Sequence, residues 1–362
     1  MQKVVIITNI MSPYRIDLFN QLESLKKFNI TVIYSAQSDD REWKIENINH
    51  KYEVLNSKTI KLKKMMDYKY IHIPTDIIKK LNIINPDIIV ASEYNPTSIL
   101  SYIWCKNKHK KFISWSDGTL NSEKNINFLQ KILRKIICSK SDALIASSTK
   151  TKEAQIKYGA KSKIFISYLT IDVNKYMIDK YNWKNNNNIL YVGSLIERKG
   201  LDLLFKAIKN VKDDFTLNIV GSGEKIEELQ ELSKRLGINE KVNFLGFKQR
   251  EELIELYKNS DIFVLPTRED CFGLVINEAM CAGLPIIASK YADGSYDLIE
   301  ENKGGYIIDP YNVSEFLNKI EILLEDEKKR EKMGKFNQEK IKEFSIEKVV
   351  IPYIEAIDYV LK

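Results

Sequence analysis

Two neighbouring cations, Arg198 and Lys199, stand just before the apolar, helix-like run 201–211. They belong to the segment Gly193–Gly200, which follows the strand-like run Ile189–Val192. The free N–H groups and positive dipole of a helix start, with two cations beside them, suit a diphosphate. The alternative is a solvated basic loop with a glycine turn.

One acid, Glu278, interrupts the otherwise uncharged segment 274–288. An ionised carboxylate on a buried helix is costly unless it is paired or hydrogen-bonded, and ribose hydroxyls would satisfy it. An internal salt bridge of Glu278 is the alternative. Asp270, in the preceding loop, is placed to accept hydrogen bonds from a sugar. The backbone N–H groups expected to point at phosphate are those of Phe272, Gly273, Leu274 and Val275.

A third candidate junction is the glycine pair Gly221 and Gly223, again between a predicted strand and a predicted helix. Glycines at such a turn let the backbone approach a phosphate or a ribose, although a plain tight turn gives the same pattern. Ile226 occupies the place of the third glycine of a dinucleotide fingerprint, which disfavours NAD. A Walker A loop is absent from the sequence.

The composition argues against metal chemistry and against a membrane-spanning helix. The 3 histidines and 4 cysteines are scattered, without a C-x-x-C pair or a zinc-type cluster. We therefore expect no metal and no cofactor. The sequence has no uncharged apolar run of the length that spans a bilayer. The expected location is the cytoplasm or the inner face of the cell membrane.

The net charge of +7 is unevenly distributed along the 362 residues. Residues 1–180 have 30 Lys and Arg against 17 Asp and Glu, whereas residues 181–362 have 26 against 32. The basic excess, notably in 58–69 and 106–111, would attract phosphates or anionic lipid, although a solvated lysine-rich surface explains it equally well. Nucleic acid is disfavoured, because aromatic residues do not interleave with the lysines.

Short apolar runs alternate with helix-length amphipathic segments in both halves, which predicts parallel sheets covered by helices. The predicted fold is α/β, with two Rossmann-like doubly wound domains facing across a cleft. Their expected bounds are 1–170 and 171–345, with a hinge near 169–188 that includes the polar run Asn185–Asn188. A final helix, about 346–362, belongs to either domain. Ligands of such domains bind beyond the carboxyl ends of the strands.

Taken together, the second-half motifs resemble those of the GT-B glycosyltransferases of family 4. The matching elements are the G-x-L-x-x-x-K-G-like stretch 193–200, Gly221 and Gly223, the run 244–246, the E-x7-E-like pair Asp270 and Glu278, and the run 279–285. The resemblance implies a retaining, metal-independent transferase that uses a nucleotide-sugar, with a UDP-sugar favoured. It implies a saccharide or lipid-linked saccharide acceptor in bacterial capsule, lipopolysaccharide or glycoconjugate synthesis. The alternative is a non-catalytic nucleotide-sugar-binding or assembly protein of the same fold.

Carried over by position, the resemblance implies that Arg198 and Lys199 bind the donor pyrophosphate and that Glu278 binds the ribose. Asp270 would orient the transferred sugar. The donor site would also include Gly193, Ser194, Gly221, Gly223, Gly246 and Phe247, the last two lining the base pocket. Two departures stand out. The family usually has Glu where this chain has Asp270, so the neighbouring Glu269 is a second candidate, and Ser194 replaces a customary Arg.

The acceptor side is expected in the first half. The segment 9–15, which contains Pro13 and Arg15, resembles a subgroup with a P-Y-R element; Arg15 would contact phosphate or acceptor, or be a surface residue at a helix start. Asp117 lies where many relatives have a His and is a candidate for contacting the transferred sugar or the acceptor hydroxyl, against a turn-capping role. Glu93, at the end of the preceding strand, is a second candidate.

Segment 125–138 interleaves apolar residues with Lys131, Arg134 and Lys135, the pattern of a basic amphipathic helix. Such a helix can lie on anionic lipid. A helix that covers the sheet gives the same pattern. An anionic membrane surface is therefore a candidate partner, alongside the donor and the acceptor.

Overall fold

The computed structural model describes residues 1–38, 43–63, 68–178 and 186–362. These residues form two compact units: unit 1 contains residues 1–170 and 346–362, and unit 2 contains residues 171–345. The final helical segment therefore belongs to unit 1. Residues 179–185, within the predicted hinge, and residues 64–67, within the basic run 58–69, lie outside the described residues.

Seven of the described strands of unit 1 form one parallel sheet in the order β3-β2-β1-β6-β7-β8-β9. The strands are β1 (Lys3–Ile10), β2 (Asn29–Ala36), β3 (Tyr52–Val54), β6 (Ile88–Ser92), β7 (Lys111–Ser116), β8 (Ala143–Ala146) and β9 (Ile164–Ile166). A separate antiparallel hairpin consists of β4 (Ser57–Lys63) and β5 (Tyr68–Pro74). The helices are α1 (Pro13–Ser24), α2 (Ile77–Ile84), α3 (Pro96–Asn107), α4 (Phe128–Lys140), α5 (Thr149–Lys157), α14 (Ile346–Val349) and α15 (Ile351–Leu361).

The sheet of unit 1 buries both of its faces. Along β1, Val4 and Ile6 face one hydrophobic layer, and Val5 and Ile7 face the other, as the period of two in a strand requires. Helices α1, α14 and α15 cover the first face, and α2, α3 and α4 cover the second. Packing in these two hydrophobic layers fixes where each helix begins. It therefore also fixes the position of the loop between each strand and the helix that follows it.

Unit 2 is built on a second parallel sheet, in the order β12-β11-β10-β13-β14-β15. Its strands are β10 (Asn188–Val192), β11 (Thr216–Val220), β12 (Val242–Phe244), β13 (Ile262–Leu265), β14 (Ile286–Ser289) and β15 (Gly305–Ile308). Its helices are α6 (Val173–Tyr176), α7 (Leu201–Ile208), α8 (Ile226–Arg235), α9 (Arg250–Lys258), α10 (Val275–Cys281), α11 (Ser295–Leu298), α12 (Val313–Glu325) and α13 (Glu327–Ile341). The predicted α/β architecture of two Rossmann-like domains is confirmed.

Each sheet has a point where the strand order reverses direction. In unit 1 it lies between β1 and β6, and in unit 2 between β10 and β13. Loops diverge from such a point, so it forms a natural crevice at the carboxyl ends of the strands. The loops that leave β10 and β13 contain Arg198, Lys199 and Asp270.

The alternation of apolar runs and helix-length segments did not indicate the β4–β5 hairpin. Its first strand has lysines at Lys58, Lys61 and Lys63, and its side chains beyond Ser57 are exposed. Such a strand has no buried face to give it a strand-like pattern. None of the helices in the described part of the chain has the length and apolar character needed to cross a bilayer.

Candidate functional site

An ion pair joins the two loops at the switch point of unit 2. The Lys199 Nζ lies 2.5 Å from Asp270 Oδ2, and both side chains are only about one-seventh exposed. Arg198 donates to the backbone carbonyl of Glu269 over 2.9 Å, and Arg268 N–H donates to the carbonyl of Arg198 over 2.8 Å. The structure therefore brings together four residues that sequence reasoning had placed in one site.

Asp270 also accepts hydrogen bonds from the backbone N–H groups of Phe272 (3.2 Å) and Gly273 (3.0 Å). Burial opposes ionisation, but Lys199, Arg198 and these donors outweigh it and lower the pKa of Asp270 to about 2. Two of the N–H groups expected to point at phosphate thus hold a carboxylate here. Of the two alternative acids, Asp270 places its carboxylate on the Lys199 cation, while Glu269 presents its carbonyl to Arg198.

Arg268 was not among the predicted site residues. Its guanidinium makes two 2.7 Å hydrogen bonds to Asp202 of α7 and one of 2.8 Å to the carbonyl of Glu197. This pairing lowers the pKa of Asp202 and ties the β13 loop to the start of α7. Arg268 directly precedes Glu269 and Asp270 in the sequence, and this adjacency could have identified it as a residue of the site.

The glycines of unit 2 mainly allow backbone loops to pack. A Cβ on Gly221 would collide with the carbonyl of Gly193, and one on Gly223 would collide with the carbonyl of Leu195. The loops are joined by hydrogen bonds from Leu195 N–H to the Ser222 carbonyl (2.8 Å) and from Gly221 N–H to the Gly246 carbonyl (2.9 Å). Phe247 directly follows Gly246 in the chain and is half-buried.

Glu278 lies in a second cluster, on α10. The Tyr257 hydroxyl of α9 donates to Glu278 Oε2 over 2.8 Å, and Tyr176 of α6 also hydrogen-bonds to it. Burial raises the pKa of Glu278 to about 7, against the effects of Tyr257, Arg250 and Tyr176. The carboxylate is therefore hydrogen-bonded by tyrosines rather than enclosed in a tight salt bridge. Tyr257 has no local sequence signal, because its partner comes from another helix.

Unit 1 has its own polar cluster, built around Arg15 and Asp117. The Arg15 guanidinium lies 2.6 and 2.8 Å from the two Asp117 oxygens and stacks 3.9 Å above the Trp115 ring. Arg15 is 6% exposed, so its alternative as a surface residue is wrong. Pro13 begins α1, the helix that holds Arg15. Asp117 is the more accessible partner, with 28% of its side chain exposed against 7% for Arg15.

Glu93 lies directly beside Asp117. Its Oε1 accepts the Asp117 backbone N–H over 2.6 Å, and its Oε2 accepts the Ser116 hydroxyl over 3.3 Å. Glu93 has a φ of +60°, a left-handed conformation that is strained for a residue with a side chain. Burial and the Asp117 charge raise the pKa of Glu93 to about 8. The predicted acceptor-side residues Arg15, Asp117 and Glu93 thus form one hydrogen-bonded group.

A buried ion pair lies close enough to this group for its charges to act on the Glu93 carboxyl. The Arg134 guanidinium of α4 lies 2.5 Å from Glu123 Oε1, and both residues are almost fully buried. Of the three cations interleaved in segment 125–138, Arg134 is therefore buried and is not available to a lipid surface. Helix α4 places Ile137 in the core and leaves Phe128 and Leu129 exposed, so it both covers the sheet and presents an apolar surface.

Comparison with known proteins gives this geometry a context. Residues 174–340, nearly all of unit 2, match the family model described as glycosyl transferases group 1. A Haemophilus influenzae protein named as an uncharacterized glycosyltransferase is 29% identical over 251 residues, covering 67% of this chain and 69% of that protein. The Staphylococcus aureus capsular polysaccharide biosynthesis glycosyltransferase CapM is 27% identical over 221 residues, covering 59% of this chain and 57% of CapM.

A solved structure extends the likeness to the whole chain. Anabaena HepE, solved in complex with UDP, superimposes with a TM-score of 0.82 at 18% identity and covers 99% of this chain and 100% of its own. At that identity the likeness shows the fold alone. The fold is GT-B, as predicted.

Proposed function

We propose that this chain, whose residues 174–340 match the family model described as glycosyl transferases group 1, is a glycosyltransferase that uses a nucleotide-diphosphate sugar, with a UDP-sugar favoured. The acceptor is a saccharide or a lipid-linked saccharide in bacterial capsule, lipopolysaccharide or glycoconjugate synthesis. The observation that carries the proposal is the convergence of Arg198 and Lys199 with Asp270 at the switch point of unit 2.

Charge balance at this point suits a diphosphate leaving group. When the bond between the anomeric carbon and the phosphate oxygen breaks, negative charge grows on the nucleoside diphosphate. Lys199 and Arg198 are fixed near the start of α7, where they stabilise that charge without a metal ion. Binding of the pyrophosphate gives Lys199 a second anion, and Asp270, released from part of its pairing, hydrogen-bonds the transferred sugar.

Glu278 is the proposed ribose ligand. Tyr257 and Tyr176 hold the carboxylate, whose two oxygens have acceptor capacity left for a ribose hydroxyl. Gly246 and Phe247 line the base pocket. Gly221 and Gly223 allow the loop that contains them to pack closely against the loop that follows β10.

Transfer proceeds with retention of configuration. The acceptor oxygen attacks the anomeric carbon from the side of the departing phosphate, and that phosphate takes the acceptor proton. In unit 1, Asp117 accepts a hydrogen bond from the acceptor or the transferred sugar, while Arg15 and Glu93 hold its position. No cofactor takes part in this scheme.

The protein works in the cytoplasm and associates peripherally with the inner face of the membrane. Support comes from the basic first half and from α4, where Phe128 is 75% exposed beside lysines. A lipid-linked acceptor would be met at that surface. Lysine-rich amphipathic helices bind anionic lipid through both charge and buried apolar area.

Slow hydrolysis of a panel of nucleotide-sugars, measured with the intact chain, tests the function and identifies the donor. We expect release of nucleoside diphosphate from one sugar nucleotide, with a UDP-sugar the first candidate. Binding without release would identify a non-catalytic nucleotide-sugar-binding protein. Neither binding nor release with any of the panel would overturn the proposal.

A further inference from the structure

Most of one layer of unit 1 consists of elements that contain lysines but no carboxylates; α5, which packs on β8 and β9, contains three lysines and Glu153 and is not part of this set. This basic layer consists of the β4–β5 hairpin, α2, α3 and α4; the three helices pack on one face of the sheet, and the hairpin contacts α3. The strands and helices of this layer contain ten lysines and Arg134, and not one Asp or Glu, while Asp67, between β4 and β5, lies outside the described residues. Carboxylates from outside these elements pair with Lys80 (Glu53 of β3) and with Lys106 (Asp142).

The opposite layer has the reverse balance. Helices α1, α14 and α15 contain five carboxylates, Asp17, Glu23, Glu347, Glu355 and Asp358, against two cations, Arg15 and Lys348. Among these elements of unit 1, the cations are thus concentrated on one side of the sheet and the carboxylates on the other. A lysine-rich surface chosen only for solubility would not need this separation.

Helix α4 adds an apolar stripe to the basic layer. At 100° per residue, Phe128, Leu129 and Ile136 fall within one 100° sector, and they are 75, 69 and 41% exposed. The buried side of α4 points the other way, with Ile137 in the core. Lys135 lies beside the stripe and is exposed. An exposed aliphatic stripe edged by lysine is the surface of an interfacial helix.

The hairpin carries a second apolar surface. Ile60, Leu62 and Ile73 lie on one face of the two strands, as the pairings Ile60–Ile71 and Lys58–Ile73 require, and they are 40–45% exposed. His72 lies on the other face and is buried. On β5 the apolar face is therefore the outward one, while both faces of β4 are exposed.

We propose that the basic layer is a docking surface for an anionic lipid bilayer, with the α4 stripe and the outward hairpin face in contact with the headgroup and upper acyl region. The inference deepens the proposed membrane association by assigning it to these elements. Charge complementarity favours anionic lipid, since the strands and helices of the basic layer contribute eleven cations and no carboxylate. Exposed Ile, Leu and Phe side chains favour lipid over nucleic acid, whose binding surfaces rely on stacked aromatic rings.

Co-sedimentation with phosphatidylcholine vesicles of increasing phosphatidylglycerol content tests the proposal. We expect binding to rise with anionic lipid and to weaken with salt. The variant K131Q/K135Q should bind about fivefold more weakly for each lysine removed. F128S/L129S should lose most of its binding at constant charge. I60S/L62S should lose part of it.

Matched changes on the opposite layer serve as controls. K348Q and I351S alter an exposed lysine and an exposed isoleucine there, and they should bind vesicles as the parent does. Every variant should still hydrolyse the free donor at the parental rate, which separates failure of docking from failure of the proposed enzyme function. Equal binding to neutral and anionic vesicles, unchanged binding of F128S/L129S, preference for a nucleic acid, or dimerisation through this layer would each overturn the inference.

Discussion

Lys199 and Asp270, 71 residues apart in the chain, form a 2.5 Å ion pair between the loops that follow β10 and β13. The pair joins the cation proposed for phosphate to the acid proposed for the sugar. Each side chain is the other's ionic partner, and Asp270 also accepts hydrogen bonds from two backbone N–H groups. Donor binding must therefore replace an internal contact with contacts of at least equal strength.

Replacing Lys199 by Ala should reduce transfer roughly a hundredfold or more, because developing phosphate charge loses a fixed cation. It should also lower the free energy of unfolding by about 3 kcal/mol, since Asp270 is left as a buried charge without its partner. The double variant K199M/D270N should regain most of that stability but not the activity. Urea unfolding and donor hydrolysis measure both effects.

Lys206→Ala is the control, because Lys206 makes a 3.5 Å pair with Asp202 from a half-exposed position on α7. It should change stability by less than about 1 kcal/mol and leave turnover intact. Full activity of K199A would contradict the assignment of Lys199 to the donor.

The pH dependence of donor binding should report Glu278. Its carboxyl has a pKa of about 7 and must be ionised to accept ribose hydroxyls fully, so the KM for donor should fall as pH rises through 7. Tyr257→Phe removes a hydrogen bond that favours the ionised form, which should move the midpoint upward by about one pH unit. Rate measurements across pH at several donor concentrations separate KM from kcat.

Tyr306→Phe removes another buried tyrosine hydroxyl of unit 2 and should leave the midpoint in place. If the midpoint of the KM profile does not move in Y257F, the Tyr257 hydroxyl does not stabilise the ionised form of Glu278. If the pH dependence disappears in Glu278→Gln and in no other variant, Glu278 is confirmed as the titrating group.

The parallel sheets were predictable because their strands are almost uninterrupted apolar runs. The donor loops were predictable because their cations and acids stand at the ends of those runs. The contacts that fix the site were not, since the Arg15–Asp117 pair spans 102 residues and the Tyr257–Glu278 pair joins two helices. The exposed apolar face of the hairpin was equally unpredictable, because Lys58, Lys61 and Lys63 interrupt the apolar pattern of β4.

EDTA should leave transfer unchanged. The positive charge that stabilises the leaving diphosphate comes from Arg198 and Lys199, so a chelator removes nothing that the proposed step needs. The measurement is turnover in excess EDTA against turnover with added manganese. Loss of activity in EDTA and its return with manganese would replace the proposed mechanism with a metal-assisted one.

Glu93→Gln should flatten the dependence of stability on pH. In the folded chain the pKa of Glu93 is raised to about 8, so the native state holds a proton that the unfolded chain releases near pH 4.5. Stability is therefore lost as pH rises between those values. Glutamine cannot ionise, so E93Q should lose less stability than the parent between about pH 5 and about pH 9 in urea unfolding. Parallel curves for the two proteins would show that Glu93 ionises as an ordinary carboxyl.

Gly200→Ala tests how the Arg198–Lys199 loop is held. Gly200 has a φ of +71°, and a Cβ there would overlap the carbonyl oxygen of Pro266 at the end of β13. Gly237 has a φ of +69° with open space around it, so G237A should cost only the conformational term of about 1 kcal/mol. G200A should cost at least twice as much and should weaken donor hydrolysis, because relief of the overlap moves both cations away from Asp270. Equal unfolding free energies for the two variants, with hydrolysis intact in G200A, would mean that this close approach does not position the donor loop.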